Sequence, residues 1–335
     1  MDYRFLGRSG VKVSPICLGT MMFGDQTAPE EAGRIVACAR EAGVNFIDTA
    51  DVYSKGESER ITGKLIAQDR DRWVLATKVA NPMGDDPNQR GTGRKWVMRA
   101  IDESLARLGT DYVDVYYLHR DPGDVPMEET VRAMGDLIAS GKVRHWGVSN
   151  LRGWRIGEAV MMSRALGVPQ PVVSQPYYNL LNRQPENEIL PACAHYGLGV
   201  VPYSPVARGV LLGKYKPGEA PPEGTRAARK DKRIMETEFR EESLVIAQKL
   251  KAHAEKKGMT AVEFAAGWVL ANPTITSVIA GPRTLEQWNA YLGVAGKAIG
   301  AEDEALVDSL VRPGHPSTPG YNDPAYPLTG RPVQR

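Results

Sequence analysis

The sequence predicts a (β/α)8 barrel, the TIM-barrel class, preceded by a small β-hairpin. Three observations point to it. Eight short β-rich runs alternate with helix-like segments, glycines stand where the intervening helices would end, and the phosphate-binding turn of an open doubly wound sheet is missing. Such a sheet calls for G-x-G-x-x-G after an early strand, and both Gly91-Thr92-Gly93 and Gly197-Leu198-Gly199 fail at the third glycine.

In chain order, residues 3–6 and 11–13 around Gly7 and Gly10 read as the hairpin. The candidate strands are 16–19, 46–49, 73–79, 113–119, 143–149, 171–175, 199–203 and 276–279. Amphipathic periodicity marks helices at 29–42, 95–108, 127–139, 153–166 and 186–195, with Gly43, Gly109, Gly141, Gly167 and Gly197 at their C-terminal ends. Strands separated by helices are parallel and joined by crossovers, and eight of them close a barrel. No internal repeat is visible. Two segments break the alternation. Residues 206–242, rich in Pro, Gly and charge, read as a long loop inserted after the seventh strand. Residues 312–335 are too rich in proline for a helix and read as a tail or a lid. The whole chain, 1–335, is taken as a single barrel domain with these two additions.

Composition narrows the function. The 335 residues are 42% hydrophobic, enough for a sizeable core, and 42 basic against 40 acidic residues leave a formal charge of +2. That balance gives no broad field for nucleic acid or an anionic membrane. The one basic run, 226–233, reads mostly as a solvated loop. No apolar run approaches the ~20 residues of a membrane span, and no secretory signal is visible at the start, so a cytoplasmic location is expected. Cys17, Cys38 and Cys193 are widely spaced, without a C-x-x-C pair, and are expected to be reduced core residues with no metal. Nothing in the sequence speaks to self-association.

In a (β/α)8 barrel the chemistry sits at the C-terminal ends of the strands. Reading those ends gives Asp48 and Tyr53 after the second strand, Lys78 on the third and His119 closing the fourth. Ser149 and Asn150 follow the fifth, Gln175 ends the sixth, and Tyr203 and Ser204 end the seventh. Any one of these has an ordinary structural reading. Together, an acid, a phenol, an ammonium and an imidazole on one rim suit reduction of a carbonyl, whose oxygen gains negative charge and must receive a proton. An isolated tyrosine titrates near ~10. Lys78 is expected to lower that value for Tyr53, Asp48 to hold Lys78 charged, and His119 to orient the carbonyl.

These residues resemble the Asp, Tyr, Lys and His tetrad of the aldo-keto reductase superfamily, in its bacterial NADPH-dependent type. The surrounding text agrees: Gly43-Val44-Asn45-Phe46-Ile47-Asp48-Thr49-Ala50 through Tyr53, Leu108-Gly109-Thr110-Asp111-Tyr112-Val113-Asp114 through His119, Gly147-Val148-Ser149-Asn150, and Tyr203-Ser204-Pro205 with Arg208-Gly209. The resemblance runs from about the first residues to about Tyr291.

The resemblance implies an NADP-dependent oxidoreductase acting reversibly between carbonyl and CH-OH groups, with NADPH lying extended across the rim. NADH is the less favoured cofactor, because Arg283 offers a cation for the extra phosphate. Ser149, Asn150 and Gln175 match positions that bind the carboxamide, and Tyr203 the aromatic beneath the nicotinamide. Gly19, Thr20, Met21 and Asp48 are placed beside the cofactor. Ser204, Pro205, Val206, Arg208, Gly209 and Lys214 match the loop over the pyrophosphate. Gly281, Arg283 and Gln287, at a helix start, match the adenosine end, with Arg226 closing over it. Ala290 and Tyr291 depart from the Glu-Asn of many relatives and leave Tyr291 to stack. The substrate, a small-molecule carbonyl compound, is expected against Met21, Phe23, Tyr53, His119, Tyr321 and Tyr326, the last two on a C-terminal lid. Two other readings stay open: a cofactor-binding regulatory subunit resembling potassium-channel β subunits, and a barrel lyase using Lys78 as a Schiff-base nucleophile.

Overall fold

The computed structural model describes residues 1–328; the end of the expected C-terminal segment, 329–335, lies outside the described residues. The hairpin comes first. Strands β1 (Arg4–Phe5) and β2 (Lys12–Val13) pair antiparallel, and Leu6 and Val13 are fully buried against the first turns of the barrel. Arg8 donates its backbone N–H to Gly197 O, so the hairpin closes the N-terminal end of the barrel and leaves the opposite end open.

Eight parallel strands follow: β3 (Ile16–Gly19), β4 (Phe46–Asp48), β5 (Val74–Val79), β6 (Val113–Leu118), β7 (Val143–Ser149), β8 (Val173–Gln175), β9 (Gly199–Val200) and β10 (Val278–Ala280). Their spatial order is β10, β3, β4 and so on to β9. The circle closes through Val200, which bridges Ile275, and through the Ile279 N–H donated to Pro202 O at 3.0 Å. The last strands are shorter than expected at 199–203 and 276–279, because Pro202 has no N–H to continue the ladder.

Around them run α1 (Pro29–Glu41), α2 (Glu57–Ile66), α3 (Arg94–Leu108), α4 (Met127–Ala139), α5 (Gly153–Leu166) and α6 (Ile189–Tyr196). Then come α7 (Lys232–Thr237), α8 (Glu241–Lys256), α9 (Ala261–Ala271), α10 (Leu285–Leu292) and α11 (Ala301–Leu310). The expected loop at 206–242 is therefore not bare: it holds a tight turn at Ala207–Gly209 and the short helix α7, and α8 begins inside its end. Among the described residues no helix is long and apolar enough to cross a membrane.

Period-two alternation builds two cores from the same strands. Outward residues such as Ile16, Leu18, Ile47, Leu75, Tyr116 and Trp146 pack under the helices. Inward residues Cys17, Phe46, Ala76, Val115, Tyr117, Val173 and Val201 fill the barrel. Gly147 is inward too, and it has to be glycine: a Cβ there would lie 2.6 Å from Val173 Cγ1 and 2.7 Å from Tyr117 Cε1. The missing side chain makes room for the Tyr117 ring. Gly147→Ala is expected to destabilise the fold by about 1–3 kcal/mol, as overpacking does, read as a lower urea midpoint with an unchanged m-value.

Candidate active site

The same alternation, carried to the C-terminal strand ends, sets the chemistry. Going outward from Phe46, Ala76, Tyr117, Gly147, Val173 and Val201, the next inward positions are Asp48, Lys78, His119, Ser149, Gln175 and Tyr203. All but Lys78, which lies beneath the others, line a cavity of about 730 Å³ that opens at this end.

Lys78 has no solvent exposure, and its ammonium makes three contacts: Asp48 Oδ2 at 2.5 Å, Thr49 O at 2.7 Å and Tyr53 OH at 3.2 Å. Burial alone would favour a neutral amine. The Asp48 carboxylate and the Tyr53 hydroxyl outweigh it and hold the Lys78 pKa above its ordinary value, so the group stays charged. That state does not suit a Schiff-base nucleophile, which must be neutral. The other Asp48 oxygen accepts from Gln175 Nε2 at 2.9 Å, and the Asp48 carbonyl is held by Thr20 N–H at 2.9 Å.

Tyr53 differs from expectation. Lys78 does pull its pKa down, but burial is the larger effect and leaves the phenol above its ordinary value. Tyr53 is thus a firmly protonated acid. His119 packs edge-on against it, with ring centroids 5.7 Å apart. Burial, then Lys78 and Arg120, push the imidazole well below its usual range, so His119 is neutral. Asn150 ties the next positions together: its Nδ2 donates to His119 O at 3.0 Å and Ser149 Oγ at 2.9 Å, and its Oδ1 accepts from Tyr203 OH at 2.8 Å. Tyr203 in turn stacks on Tyr177 at 5.6 Å.

The far end of the cavity is cationic. Lys214, Arg226 and Arg283 line it. Burial and the neighbouring Arg283, Arg226 and Arg229 depress the Lys214 ammonium, and burial depresses Arg226 despite help from Asp231. Confined like charges of this kind fit a multiply charged anion. Helix α10 starts beside them: Thr284 caps Gln287 N–H, and Gln287 Oε1 accepts from Arg283 N–H at 3.0 Å. Tyr291 is buried in the same wall, next to Arg226. A polar, hydrogen-bonding end and a cationic end joined by one trough suit a nicotinamide dinucleotide.

Residues 15–312 match the Aldo/keto reductase family. The chain belongs to that family. The membership makes it an oxidoreductase of a class that typically binds a nicotinamide cofactor. It is similar to the "Probable voltage-gated potassium channel subunit beta" of Oryza sativa subsp. japonica, 38% identical over 84% of this chain and 87% of the rice protein. The Arabidopsis thaliana protein of the same description gives the same figures. The "Uncharacterized oxidoreductase YrpG" of Bacillus subtilis (strain 168) is 39% identical over 86% of this chain and 89% of its own length.

Not every residue expected at the site reaches it in this aldo/keto reductase. Phe23 is fully buried in the outer core and does not line the cavity. Thr20 is also buried; its hydroxyl bonds Asp48 O and Ser58 Oγ, so it braces the strand end. Arg208 lines the cavity with its charge already matched: its guanidinium donates to Glu238 Oε1 at 2.5 Å and lies over the Tyr177 ring. The C-terminal segment splits. Tyr326 and Ala325 line the cavity, while Tyr321 packs beneath Arg240 and donates to Glu236 O at 3.1 Å. Arg233, in the basic run read as solvated, grips Asp323 with both terminal nitrogens and lines the cavity as well. Met21 reaches the cavity as expected of its position.

Sequence reasoning missed Asn81 and Val52, both cavity-lining. It also missed Asp51, whose carboxyl is buried with neither oxygen hydrogen-bonded among the described residues. Glu59 faces it, itself held by Thr77 Oγ1 and Arg107, and Lys78 and Tyr116 lie around it. Burial first, then Glu59, push Asp51 up to about 8. The folded state therefore keeps a proton that the unfolded chain loses near ~4, so this group's contribution falls as pH rises from there through about 8. Asp51→Asn removes the slope. Against wild type, the variant should gain stability between pH 5 and pH 9, by an amount on the order of a few kcal/mol, in paired denaturant titrations at the two pH values.

Proposed function

We propose that the protein is an NADPH-dependent reductase of aldehydes or ketones. The observation that carries this reading is the Tyr53 hydroxyl at the cavity wall, 3.2 Å from the Lys78 ammonium and edge-on to His119, with Lys78 held toward its charged form and His119 toward its neutral one. When bound, the cofactor supplies hydride to the carbonyl carbon. The chain's own residues do the rest. Tyr53 gives its proton to the carbonyl oxygen, and the resulting phenolate is stabilised by Lys78, which Asp48 keeps charged and in place. His119 Nδ1 is buried without a partner among the described residues, where a bare lone pair is cheaper to bury than an N–H, so the neutral ring is read with its proton on Nε2, facing the carbonyl oxygen. Ser149, Asn150 and Gln175 would hold the nicotinamide amide, and Tyr203 would set the ring's face. Ser204, Pro205, Val206, Gly209 and Lys214 would hold the pyrophosphate, and Arg226, Gly281, Arg283, Gln287 and Tyr291 would take the adenosine end.

Two outcomes test this. Tyr53→Phe should retain NADPH affinity yet lose about two or more orders of magnitude in carbonyl reduction, followed as NADPH oxidation under single-turnover conditions. Arg283→Ala should weaken NADPH by about 1.5–3 kcal/mol, the range of a charged hydrogen bond, and leave NADH affinity nearly unchanged in fluorescence titrations; equal losses would make Arg283 structural. A second reading, a cofactor-binding subunit of an ion channel, rests on what the rice and Arabidopsis relatives are called. It separates cleanly, because such a subunit would bind NADPH and barely oxidise it with model aldehydes.

A further inference from the structure

The backbone at the end of β5 is strained at one residue. Ala80 has φ +124°, a conformation that residues with a Cβ rarely adopt. Both peptides around it are pinned: His119 N–H donates to Val79 O at 2.8 Å, and Gly91 N–H to Ala80 O at 2.9 Å, which closes the loop that follows. The next residue, Asn81, precedes Pro82, which restricts Asn81 to extended backbone. The chain thus spends strain and two constraints on the direction of a single side chain.

Asn81 lines the cavity. Strand β5 lies between β4, which leads to the Tyr53 turn, and β6, which ends at His119, so Asn81 leaves the rim between the proton donor and the imidazole. Among the described residues its carboxamide has no hydrogen-bond partner, in contrast to the other amides of the site, Asn150 and Gln175, each of which already bonds a protein group. Of the charged groups nearby, Arg120 lies beside His119 and Tyr326 outside the cavity lining, without an acidic partner among the described residues, and the others are matched. Lys78 is paired with Asp48, and Arg233 with Asp323 and Glu236. The remaining wall at this end, Met21, Val52, Ala325 and Tyr326, is mainly apolar.

We propose that Asn81 is a specificity-determining residue that selects carbonyl substrates carrying a neutral hydroxyl close to the carbonyl group. This deepens the reductase reading and rests on it. A carboxamide offers one donor group and one acceptor, the complement of a hydroxyl, which gives and accepts one bond each. A substrate carboxylate would leave the amide oxygen facing negative charge, with no unmatched cation among the described residues that line this end of the cavity. A plain alkyl aldehyde would desolvate the amide and leave it unpaired.

The test measures kcat/KM with NADPH for matched compounds: propanal against 2-hydroxypropanal, and butanal against 3-hydroxybutanal and succinate semialdehyde. The wild-type protein should favour each hydroxylated member over its plain analogue by about tenfold. In Asn81→Leu, which keeps the volume, and in Asn81→Ala, that ratio should collapse to near one. A wild-type preference for the carboxylated aldehyde, no preference at all, or a ratio that survives both substitutions overturns the assignment of Asn81 and leaves the reductase standing. If wild type oxidises NADPH with none of these aldehydes, the reductase reading falls first and takes this proposal with it.

Discussion

Lys78 carries a charge inside a barrel and has no exposure to solvent. A buried ammonium without compensation would lose its proton or unfold its surroundings, so the structure around it is the consequence of keeping it ionised. Asp48 answers it from the neighbouring strand, the Thr49 carbonyl takes a second proton, and the third faces the Tyr53 hydroxyl. Asp48 is then itself constrained. Gln175 holds its remaining oxygen from across the barrel, and Thr20 fixes its backbone from β3. The pair therefore ties the floor of the cavity to strands on opposite sides of the circle. It also sets the order of titration there: Tyr53 remains protonated because burial exceeds the pull of Lys78, while His119 remains neutral because burial and Lys78 act together.

Strain gathers at the same end of the molecule. Of the described non-glycine residues with positive φ, all but Lys230 lie in the turns that follow strands: Ser54 and Lys55 after β4, Ala80 after β5, Asn150 after β7, and Ser204, Ala207 and Arg208 after β9. Each such residue carries a cost that a relaxed loop would avoid, commonly about 1–3 kcal/mol in the less populated regions. The strands make it tolerable. Their ladders and the filled inner core hold the rim rigid, so turns of unfavourable geometry persist, and side chains are aimed where a relaxed turn would not send them.

What could be read from the sequence follows from which of these features have a local signature. Alternation, glycines at helix ends and the eight β-runs are local, so the barrel and the positions of Asp48, Lys78, His119, Ser149, Gln175 and Tyr203 were legible. Helix α2 escaped, because Gly56 at its start adopts a left-handed conformation that nothing in Tyr53-Ser54-Lys55-Gly56 announces. Asn81 escaped for a similar reason: an alanine gives no sign that it will be forced to φ +124°. Arg208 and Arg233 were legible as cations, while their partners, Glu238 and Asp323, are distant in sequence and could be found only by folding the chain. Phe23 and Tyr321 were placed at the cavity by position, and packing takes them elsewhere.

Those distant pairings decide how charge is distributed along the trough. Near the Tyr53 end every cation lining the cavity has a carboxylate of its own, as with Arg233 and Arg208. At the opposite end, among the described residues, Lys214 has no acidic partner, the Arg283 guanidinium bonds the neutral Gln26 and no carboxylate, and Arg226 has Asp231 near it but makes no ion pair. The cavity is thus close to neutral where a carbonyl would react and positive where a phosphate would rest. A ligand with phosphates at one end has one favourable direction in such a trough, and it enters with its uncharged end toward Tyr53. Orientation of such a ligand then follows from the matching of charges alone, before any shorter-range contact is made.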